Sequence, residues 1–313
     1  MRCRLIPYDL HGPHKGILGR WRLAAELRRE GFHAAILFQN AFDAALLAVL
    51  ARIPIRAGYA RHGRRLLLTH PAPAPKKGET PPHESHYYLE LLRRLGLIGG
   101  YEPVEEIALP KVEPGWEFPR ARLEERIARE LPASLHGRPI VGLSPGATFG
   151  TAKRWLPDRF AELALRLQRE LGAACIFFGS AQEKPLVESL LPKAGREVVS
   201  LAGKTTLTEF LQLIRGCDLY VTNDTGTMHV AAARGAPTLA LFGATDEQAT
   251  RPLGPRVQLM IGRADCRPCL LRHCPIDHRC MTSVSVEEVF QAAHSILTQR
   301  AQDRLARQSS PVS

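Results

Sequence analysis

Short apolar runs and amphipathic segments alternate regularly along the second half of the chain. Residues 139–144 form an apolar run that ends at Pro145-Gly146, as expected of a buried strand that leads into a loop. From residue 157 to 171, apolar residues recur at helical spacing among Arg and Glu, which predicts a helix with one buried side. Further along, we predict strands over 175–178, 198–201, 219–222 and 238–242, and helices over 184–191, 207–215, 226–234 and 286–304.

This alternation, with its short connections, is typical of parallel strands joined by helical crossovers. The second half is therefore predicted to form an open α/β sheet. Ligands on such sheets bind at the carboxyl ends of the strands. We expect the site among the loops that begin at Ser144, Gly179, Thr222 and Gly243.

The first half has a weaker pattern. It predicts helices over 20–30, 43–51 and 87–95, one strand over 34–38, a loop over 71–82 and a Pro-rich connection over 103–119. A chain of 313 residues is long for one domain, and we expect two, residues 1–135 and 136–313. Because its first strand comes only after residue 30, the N-terminal sheet is expected to be short of strands.

Composition excludes several protein classes. With 45% hydrophobic and 23% charged residues, the chain can bury a core and is neither disordered nor fibrous. No apolar stretch reaches the roughly 18 to 20 residues of a membrane span, and the start has no apolar signal core. The odd number of cysteines, seven, agrees with a reducing compartment, so a cytoplasmic protein is expected.

The net charge of +11 favours an anionic partner. Basic residues are shared evenly between the two halves, so there is no basic tail of the kind that binds nucleic acid. The stretch between Asp43 and Glu79 contains no acidic residue but holds several cations, among them Arg61, Arg64 and Arg65. It is either a solvated basic face or a binding patch for an anion.

The strongest candidate site is the segment Thr222-Asn223-Asp224-Thr225-Gly226-Thr227-Met228-His229, where a predicted strand gives way to a predicted helix. The first N–H groups of a helix are unpaired and carry partial positive charge, so they bind phosphate well. Asp224 or Thr225 could cap this helix, Gly226 would allow close approach of a ligand, and His229 lies one turn further on. The alternative is an ordinary capped helix with a buried histidine.

A second candidate segment, Ser144-Pro145-Gly146-Ala147-Thr148, is followed by Lys153-Arg154-Trp155. A Gly-containing loop at the carboxyl end of a strand, with cations close behind, would face the same crevice. Lys153 could neutralise a departing diphosphate, or both cations could simply project into water. Two nucleotide-binding motifs are excluded, because neither Gly203-Lys204-Thr205 nor the glycines at 12, 16 and 19 have the required spacing.

Together these segments resemble the ADP-heptose:lipopolysaccharide heptosyltransferases. The resemblance rests on the two candidate segments, on Leu201-Ala202-Gly203-Lys204-Thr205 and on Leu241-Phe242-Gly243-Ala244-Thr245-Asp246, in that family's order. The Lys-Arg-Trp sequence and the Cys-rich segment near the C-terminus are more similar to heptosyltransferase II than to heptosyltransferase I. The similarity is strong from residue 139 to about 290 and weak before it.

The resemblance implies a GT-B fold, in which two Rossmann-like domains face a cleft and the C-terminal domain binds the nucleotide sugar. Carried over by position, the residues that bind the ADP-heptose donor would be Ser144, Gly146, Thr148, Lys153, Asp224, Thr225, Gly226 and His229. Lys153 would also stabilise the leaving group, so no metal cofactor would be required. The acceptor would be the anionic inner core of lipopolysaccharide at the membrane surface, with Arg61, Arg64 and Arg65 as its basic rim.

One expected catalytic group has no counterpart here. The family's proposed general base is an Asp in a Gly-rich loop after the first N-terminal strand, and Asp9 does not have that context. The resemblance therefore implies either an N-terminal domain that lacks its first segment or a catalytically weakened protein. We expect the 313-residue chain to bind ADP better than it transfers sugar.

Four cysteines are crowded into a short segment near the C-terminus. They follow the spacing C-x2-C-x4-C-x5-C, with two histidines among them: Cys266, Cys269, Cys274 and Cys280, with His273 and His278. These residue types ligate zinc and iron–sulfur clusters. A compact loop of reduced cysteines without a metal is the alternative.

Overall fold

The computed structural model describes residues 4–9, 12–103, 125 and 138–309. The chain divides into two compact units, residues 1–107 and 108–313. The domain boundary that we predict between residues 135 and 136 lies outside the described residues and stays a prediction.

A parallel sheet of three strands, in the spatial order β1-β2-β3, is the centre of the N-terminal unit as far as it is described. Its strands are Ala34–Leu37 (β1), Ile55–Tyr59 (β2) and His70–Ala72 (β3). Its helices are Gly16–Arg29 (α1), Phe42–Leu50 (α2) and Glu84–Arg94 (α3).

The three predicted helices and the strand over 34–38 are confirmed in this unit. The sequence does not predict β2, because Arg56 and Gly58 interrupt its apolar pattern, or β3, which contains Pro71. Proline is tolerated in β3 because that strand pairs only with β2 in the described sheet. The predicted loop over 71–82 is therefore wrong at its first two residues, and the expected incompleteness of this domain stays a prediction.

The C-terminal unit contains a parallel sheet of six strands in the order β6-β5-β4-β7-β8-β9. The strands are Ile140–Ser144 (β4), Ala174–Phe177 (β5), Val198–Ser200 (β6), Leu219–Asn223 (β7), Thr238–Phe242 (β8) and Val257–Ile261 (β9). The helices are Pro157–Leu171 (α4), Lys184–Leu190 (α5), Leu207–Leu213 (α6), Gly226–Ala233 (α7), Glu247–Thr250 (α8), Arg279–Thr282 (α9) and Val286–Ser309 (α10). All the strands and helices predicted for this half are confirmed to within a few residues.

Both faces of the central strands are buried in this sheet. Leu219 and Val221 of β7 belong to one apolar cluster, with Trp155, and the intervening Tyr220 belongs to another, with Phe178. This alternation places helices on both faces of the sheet, which explains why its strands are almost continuously apolar. The sequence does not predict β9, because β9 is only partly buried and carries Gln258.

No helix in the described part of the chain is long and apolar enough to cross a membrane.

Glu90 is a buried carboxylate of α3 that accepts hydrogen bonds from Arg93, Arg94 and Tyr101. The hydrogen bonds from Arg93, partly opposed by burial, lower the pKa of Glu90 to about 2. A lowered folded-state pKa stabilises the fold above the unfolded-state pKa, and this stability is lost as the pH falls through the folded-state value. We expect Glu90→Gln to lower the free energy of unfolding at neutral pH by about 2 kcal/mol.

The urea-unfolding free energies of wild type and Glu90→Gln should converge as the pH falls from about 5 towards 2. Glu102→Gln is the matched control, because Glu102 is exposed. A difference between wild type and Glu90→Gln that did not change with pH would contradict this account of the carboxylate.

Candidate active site at the carboxyl edge of the C-terminal sheet

The strand order of the C-terminal sheet reverses at β4, which lies between β5 and β7. In open α/β sheets, the loops that leave the two strands at such a reversal turn to opposite sides and leave a crevice beyond the carboxyl ends. Ser144 of β4 is paired in register with Thr222 of β7. The loop after Ser144 and the turn after Asn223 therefore begin side by side, and the two candidate segments of the sequence meet at this crevice.

Lys153 and Asp224 form an ion pair at this crevice. Their Nζ and Oδ2 atoms are 2.7 Å apart, and only 16% of the lysine side chain and 5% of the aspartate side chain are exposed. The Thr245 hydroxyl donates to the same Oδ2 at 2.6 Å, and the Phe149 ring lies 5.1 Å from Nζ. The aspartate thus fixes one cation of the first loop at the end of β7.

Asn223 holds the loop that carries Lys153. This side chain is fully buried, and its Nδ2 donates to the carbonyl oxygens of Pro145 and Gly146 at 2.9 and 3.0 Å. Its Oδ1 accepts from the backbone N–H of Trp155 at 2.9 Å. Both ends of the loop are therefore attached to the end of β7 by one amide, a role that the sequence does not indicate.

Helix α7 begins without a side-chain cap. Thr225 precedes its first turn in an extended conformation but makes no capping hydrogen bond, and its hydroxyl lies 2.7 Å from the Thr227 hydroxyl instead. The Asp224 carboxylate is directed at Lys153. The prediction that Asp224 or Thr225 caps this helix is therefore wrong, because both side chains have other partners.

The surface around the start of α7 is open. Gly226 and His229 are both exposed, as is Thr148 on the facing loop. A Cβ added at Gly226 would meet no heavy atom within 4 Å. The alternative of a buried histidine in an ordinary capped helix is thereby excluded, and the partial positive charge of the helix start faces unfilled space.

Two other predicted donor residues have partners inside the protein. The buried Ser144 hydroxyl accepts a hydrogen bond from the Tyr220 hydroxyl at 2.6 Å, and burial raises the pKa of Tyr220 to about 12, which keeps it a donor. At Gly146, an added Cβ would collide with the Glu183 carboxylate. These contacts give both residues a role in shaping the loop, and their contact with a donor stays a prediction.

The Cys-rich segment, residues 266–280, forms hydrogen bonds with two loops of the crevice. Arg267 donates to the carbonyl oxygens of Gly243 and Thr245 at 2.5 and 3.1 Å. The backbone N–H of Ala152 donates to the Arg272 carbonyl oxygen at 3.0 Å. The segment thus contacts both the loop that carries Lys153 and the loop that carries Thr245. Its partners are mostly backbone atoms far away in sequence, and for that reason the sequence does not predict this role.

The four cysteines of this segment differ in their surroundings. Cys280 is buried, which raises its pKa, whereas Cys266 is exposed. Within residues 4–9, 12–103, 125 and 138–309, no three or more His, Cys, Asp or Glu side chains are arranged to hold a metal ion. A metal at Cys266, Cys269, Cys274 and Cys280 stays a prediction, which elemental analysis of protein purified without a tag would test.

The three arginines of the predicted acceptor rim also differ. Arg61 and Arg65 are exposed. Arg64 is fully buried in the N-terminal unit, where it donates at 2.8 Å to the Tyr59 carbonyl oxygen and to Asn40 Oδ1. Burial lowers the pKa of Arg64. Its expected place on an exposed rim is therefore wrong, because its donors bind acceptors inside this unit.

Comparison with known proteins identifies the family. The model of glycosyltransferase family 9 (heptosyltransferase) matches residues 20–279. The chain belongs to this family. It is therefore a glycosyltransferase, and the two segments that form the crevice lie within the matched residues.

Relatives in family 9 extend the likeness over most of the chain. Lipooligosaccharide heptosyltransferase 2 of Haemophilus influenzae is 34% identical over 248 residues, which are 77% of this chain and 68% of the relative. Lipopolysaccharide heptosyltransferase 2 of Salmonella typhimurium is 30% identical over 94% of this chain and 84% of its own length. Lipooligosaccharide heptosyltransferase 2 of Campylobacter jejuni is matched over about half its length, 52%.

Solved structures show the same fold. The ADP-heptose lipopolysaccharide heptosyltransferase II of Escherichia coli is 28% identical, with a TM-score of 0.70 over 90% of this chain and 81% of that chain. A family 9 glycosyltransferase of Veillonella parvula has a TM-score of 0.73 over 93% of this chain and 81% of its own, at 22% identity. The predicted GT-B fold class is confirmed by these likenesses.

Proposed function

We propose that this chain transfers heptose, with inversion, from ADP-L-glycero-D-manno-heptose to the first heptose of the lipopolysaccharide inner core. The observation that carries the proposal is the Lys153–Asp224 ion pair beside the uncapped start of α7. It places a fixed ammonium group beside the start of a helix that no side chain caps, at one edge of the sheet. The names of the family 9 relatives, several of which are heptosyltransferases 2, support heptose as the transferred sugar.

The chemistry of inversion explains why these groups matter. A single displacement breaks the bond between the sugar and ADP, and negative charge grows on the departing diphosphate. Lys153 and the start of α7 stabilise this charge, with Thr148 and His229 as further contacts, so the leaving group needs no metal cofactor. The proton of the acceptor hydroxyl goes to a general base.

Gly226→Ala tests the position of the diphosphate. An added methyl group would enter the open space beside the α7 amides, where we expect phosphate oxygens to lie. ADP affinity, measured by calorimetry, should fall about tenfold or more, because close approach to the backbone is lost. The melting temperature should stay the same or rise, since alanine favours helices more than glycine does.

Gly100→Ala is the matched control, because Gly100 also has open space around it and lies outside the crevice segments. If Gly226→Ala bound ADP as tightly as the control does, the diphosphate would not lie at the start of α7.

Two alternative functions predict different experimental results. One is a GT-B transferase that uses another nucleotide sugar, and the other is a nucleotide-binding remnant without turnover. Calorimetric titration with ADP, UDP and GDP tests the first alternative, because transfer from ADP-heptose requires tighter binding of ADP than of UDP or GDP. A mass-spectrometric assay of heptose transfer to the lipopolysaccharide acceptor tests the second, because a remnant would give no product. Robust transfer would support the proposed function and exclude the remnant, and it would show that the expectation of ADP binding with only weak transfer is wrong.

The acceptor is expected to contact Arg61 and Arg65, which lie in a stretch without acidic residues. The inner core carries carboxylates and phosphates at a membrane face, so the enzyme would work at the cytoplasmic surface of the inner membrane. The double variant Arg61→Glu/Arg65→Glu should raise the acceptor KM about tenfold and leave ADP affinity unchanged, because it reverses charge only on the acceptor side.

The control is Arg196→Glu, which reverses the charge of an exposed arginine in the C-terminal unit. Steady-state kinetics at low ionic strength give the clearest contrast between the variants. An acceptor KM equal to that of wild type would remove Arg61 and Arg65 from the acceptor site.

A further inference from the structure

Part of the Cys-rich segment bridges the two loops that flank the end of β7. The backbone N–H of Leu270 donates to the carbonyl oxygen of Ala244, in the loop after β8, at 2.8 Å. Two residues further on, the carbonyl oxygen of Arg272 accepts from the backbone N–H of Ala152, in the loop after β4, at 3.0 Å. Because β7 lies between β4 and β8 in the sheet, this bridge lies at the crevice.

Arg272 is fixed on the loop that carries Lys153. Gly150 packs so closely against it that an added Cβ would lie 2.1 Å from the Arg272 carbonyl oxygen. The next residue of the segment, His273, has its Nδ1 atom 3.1 Å from the Thr151 hydroxyl. Contacts on both residues thus attach this end of the bridge to the loop, so the side chain of Arg272 starts from a defined position beside Lys153.

The charged groups of Arg272 and Lys153 share one aromatic ring. Arg272 Cζ and Lys153 Nζ each lie 5.1 Å from the centre of the Phe149 ring. An aromatic ring attracts cations that lie within about 6 Å of its centre, so Phe149 holds both groups. The two cations cannot be further apart than twice the distance from the ring, and they therefore belong to the same part of the crevice.

The two cations differ in their partners. Lys153 is paired with Asp224 at 2.7 Å, so that pair carries no net charge. Arg272 is exposed, and it makes no ion pair within the described ranges of the chain. The carboxylate of Asp277, in the same segment, is paired with Arg279 instead. Arg272 thus adds to the crevice a full positive charge that the ion pair does not provide.

The diphosphate of a nucleotide sugar is a ligand that such a charge fits. It carries negative charge on both phosphate groups, and more develops as the sugar leaves. A guanidinium group presents a planar fork of N–H donors that matches phosphate oxygens. Two cations at the separation seen here can contact one diphosphate together, because each hydrogen bond adds about 3 Å to the width of the group.

We propose that Arg272 binds the diphosphate of the donor, as a second cation of the site beside Lys153. The inference rests on the proposed function, in which this diphosphate lies at the start of α7. In this arrangement the Cys-rich segment contributes directly to donor binding, because its bridge brings an arginine to the loop after β4. Arg272 supplies net positive charge, and Lys153 supplies an ammonium group that Asp224 holds in place.

The test is calorimetric titration of Arg272→Gln with ADP, UDP and GDP. Affinity for the nucleotide that the wild type prefers should fall about tenfold, because a charged contact to phosphate is lost. Arg272→Lys keeps the charge without the fork and should regain part of this affinity. Arg169→Gln is the matched control, because it removes an exposed arginine near the end of α4. Thermal unfolding of each variant shows that it is folded.

Salt separates a contact with the ligand from a structural role. The difference in affinity between wild type and Arg272→Gln should shrink as the ionic strength rises from about 0.05 M to about 0.5 M, because an exposed charge is screened. A loss of affinity that did not change with salt would give Arg272 a structural role and overturn the proposal.

The same titrations separate this proposal from the proposed function. If the wild type binds ADP most tightly and Arg272→Gln binds it as tightly as Arg169→Gln does, the proposal for Arg272 is overturned and the proposed function is unaffected. If the wild type prefers UDP or GDP, the proposed donor is wrong, whereas weaker binding of that nucleotide by Arg272→Gln supports the role of Arg272. A wild type that binds none of the three overturns both.

Discussion

Lys153→Ala is expected to lower kcat for heptose transfer by about 100- to 1,000-fold, the largest effect of any single substitution considered. In the proposed function the ammonium group lies where charge grows on the departing diphosphate, and groups of this kind contribute about 3 to 4 kcal/mol to transition-state stabilisation. Its removal also leaves the Asp224 carboxylate, which is 5% exposed, without its counter-ion. An uncompensated carboxylate next to a leaving diphosphate opposes the reaction by direct repulsion.

The measurement is single-turnover kinetics with saturating donor, so that loss of affinity is separated from loss of rate. Lys193→Ala is the matched control, because the ion pair of Lys193 with Asp158 is exposed on both sides. A Lys153→Ala enzyme that retained most of the wild-type rate while folded would show that another group stabilises the leaving ADP.

Asn223→Ala is expected to have the second largest effect, on both stability and donor affinity. The substitution leaves two carbonyl oxygens and one N–H group, those of Pro145, Gly146 and Trp155, without their buried partner. Each such loss costs about 1 kcal/mol or more, so the free energy of unfolding should fall by about 3 kcal/mol. The loop that carries Lys153 would lose its attachment to β7, and ADP affinity should fall about tenfold.

Asn40→Ala separates positioning from general destabilisation. Asn40 is a hydrogen-bonded asparagine of the N-terminal unit, where it binds Arg64 and Tyr87. Its removal should lower stability without changing ADP affinity. If Asn223→Ala kept wild-type ADP affinity at a temperature where it is folded, Asn223 would have a purely structural role.

The sequence predicts the C-terminal unit well because that unit obeys local rules. Its central strands are buried on both faces and appear in the sequence as continuous apolar runs. Its long helix α4 is amphipathic and appears as apolar residues at helical spacing. That Lys153 and Asp224 lie at the same edge follows from one further rule, that parallel strands end at the same edge of the sheet. Their contact also requires the pairing of β4 with β7, which the structure shows and the sequence does not predict.

The sequence does not predict which of several possible partners a polar side chain binds. Asp224 and Thr225 have the residue types of helix caps, yet Lys153 and Thr227 provide closer partners. Arg64 stands in a basic stretch but turns inwards, because carbonyl oxygens of the N-terminal unit surround it. In both cases the competing partners are brought by the fold, and local propensity does not contain that information.

The supporting contacts of the crevice are missed for a similar reason. Asn223 and Arg267 act on backbone carbonyl oxygens, and every residue type supplies such an oxygen. A pattern of side chains therefore cannot reveal them. In the sequence, the cysteines near Arg267 indicate a possible metal site. The contacts that the structure shows with the crevice loops are made by Arg267 and by main-chain atoms.

A crystal structure of this chain with ADP tests the central claim most directly, because it locates the diphosphate itself. The expected result is phosphate oxygens within about 3 Å of Lys153 Nζ and of the backbone N–H groups that begin α7. A diphosphate bound away from both, with the Lys153–Asp224 pair unchanged, would contradict the claim.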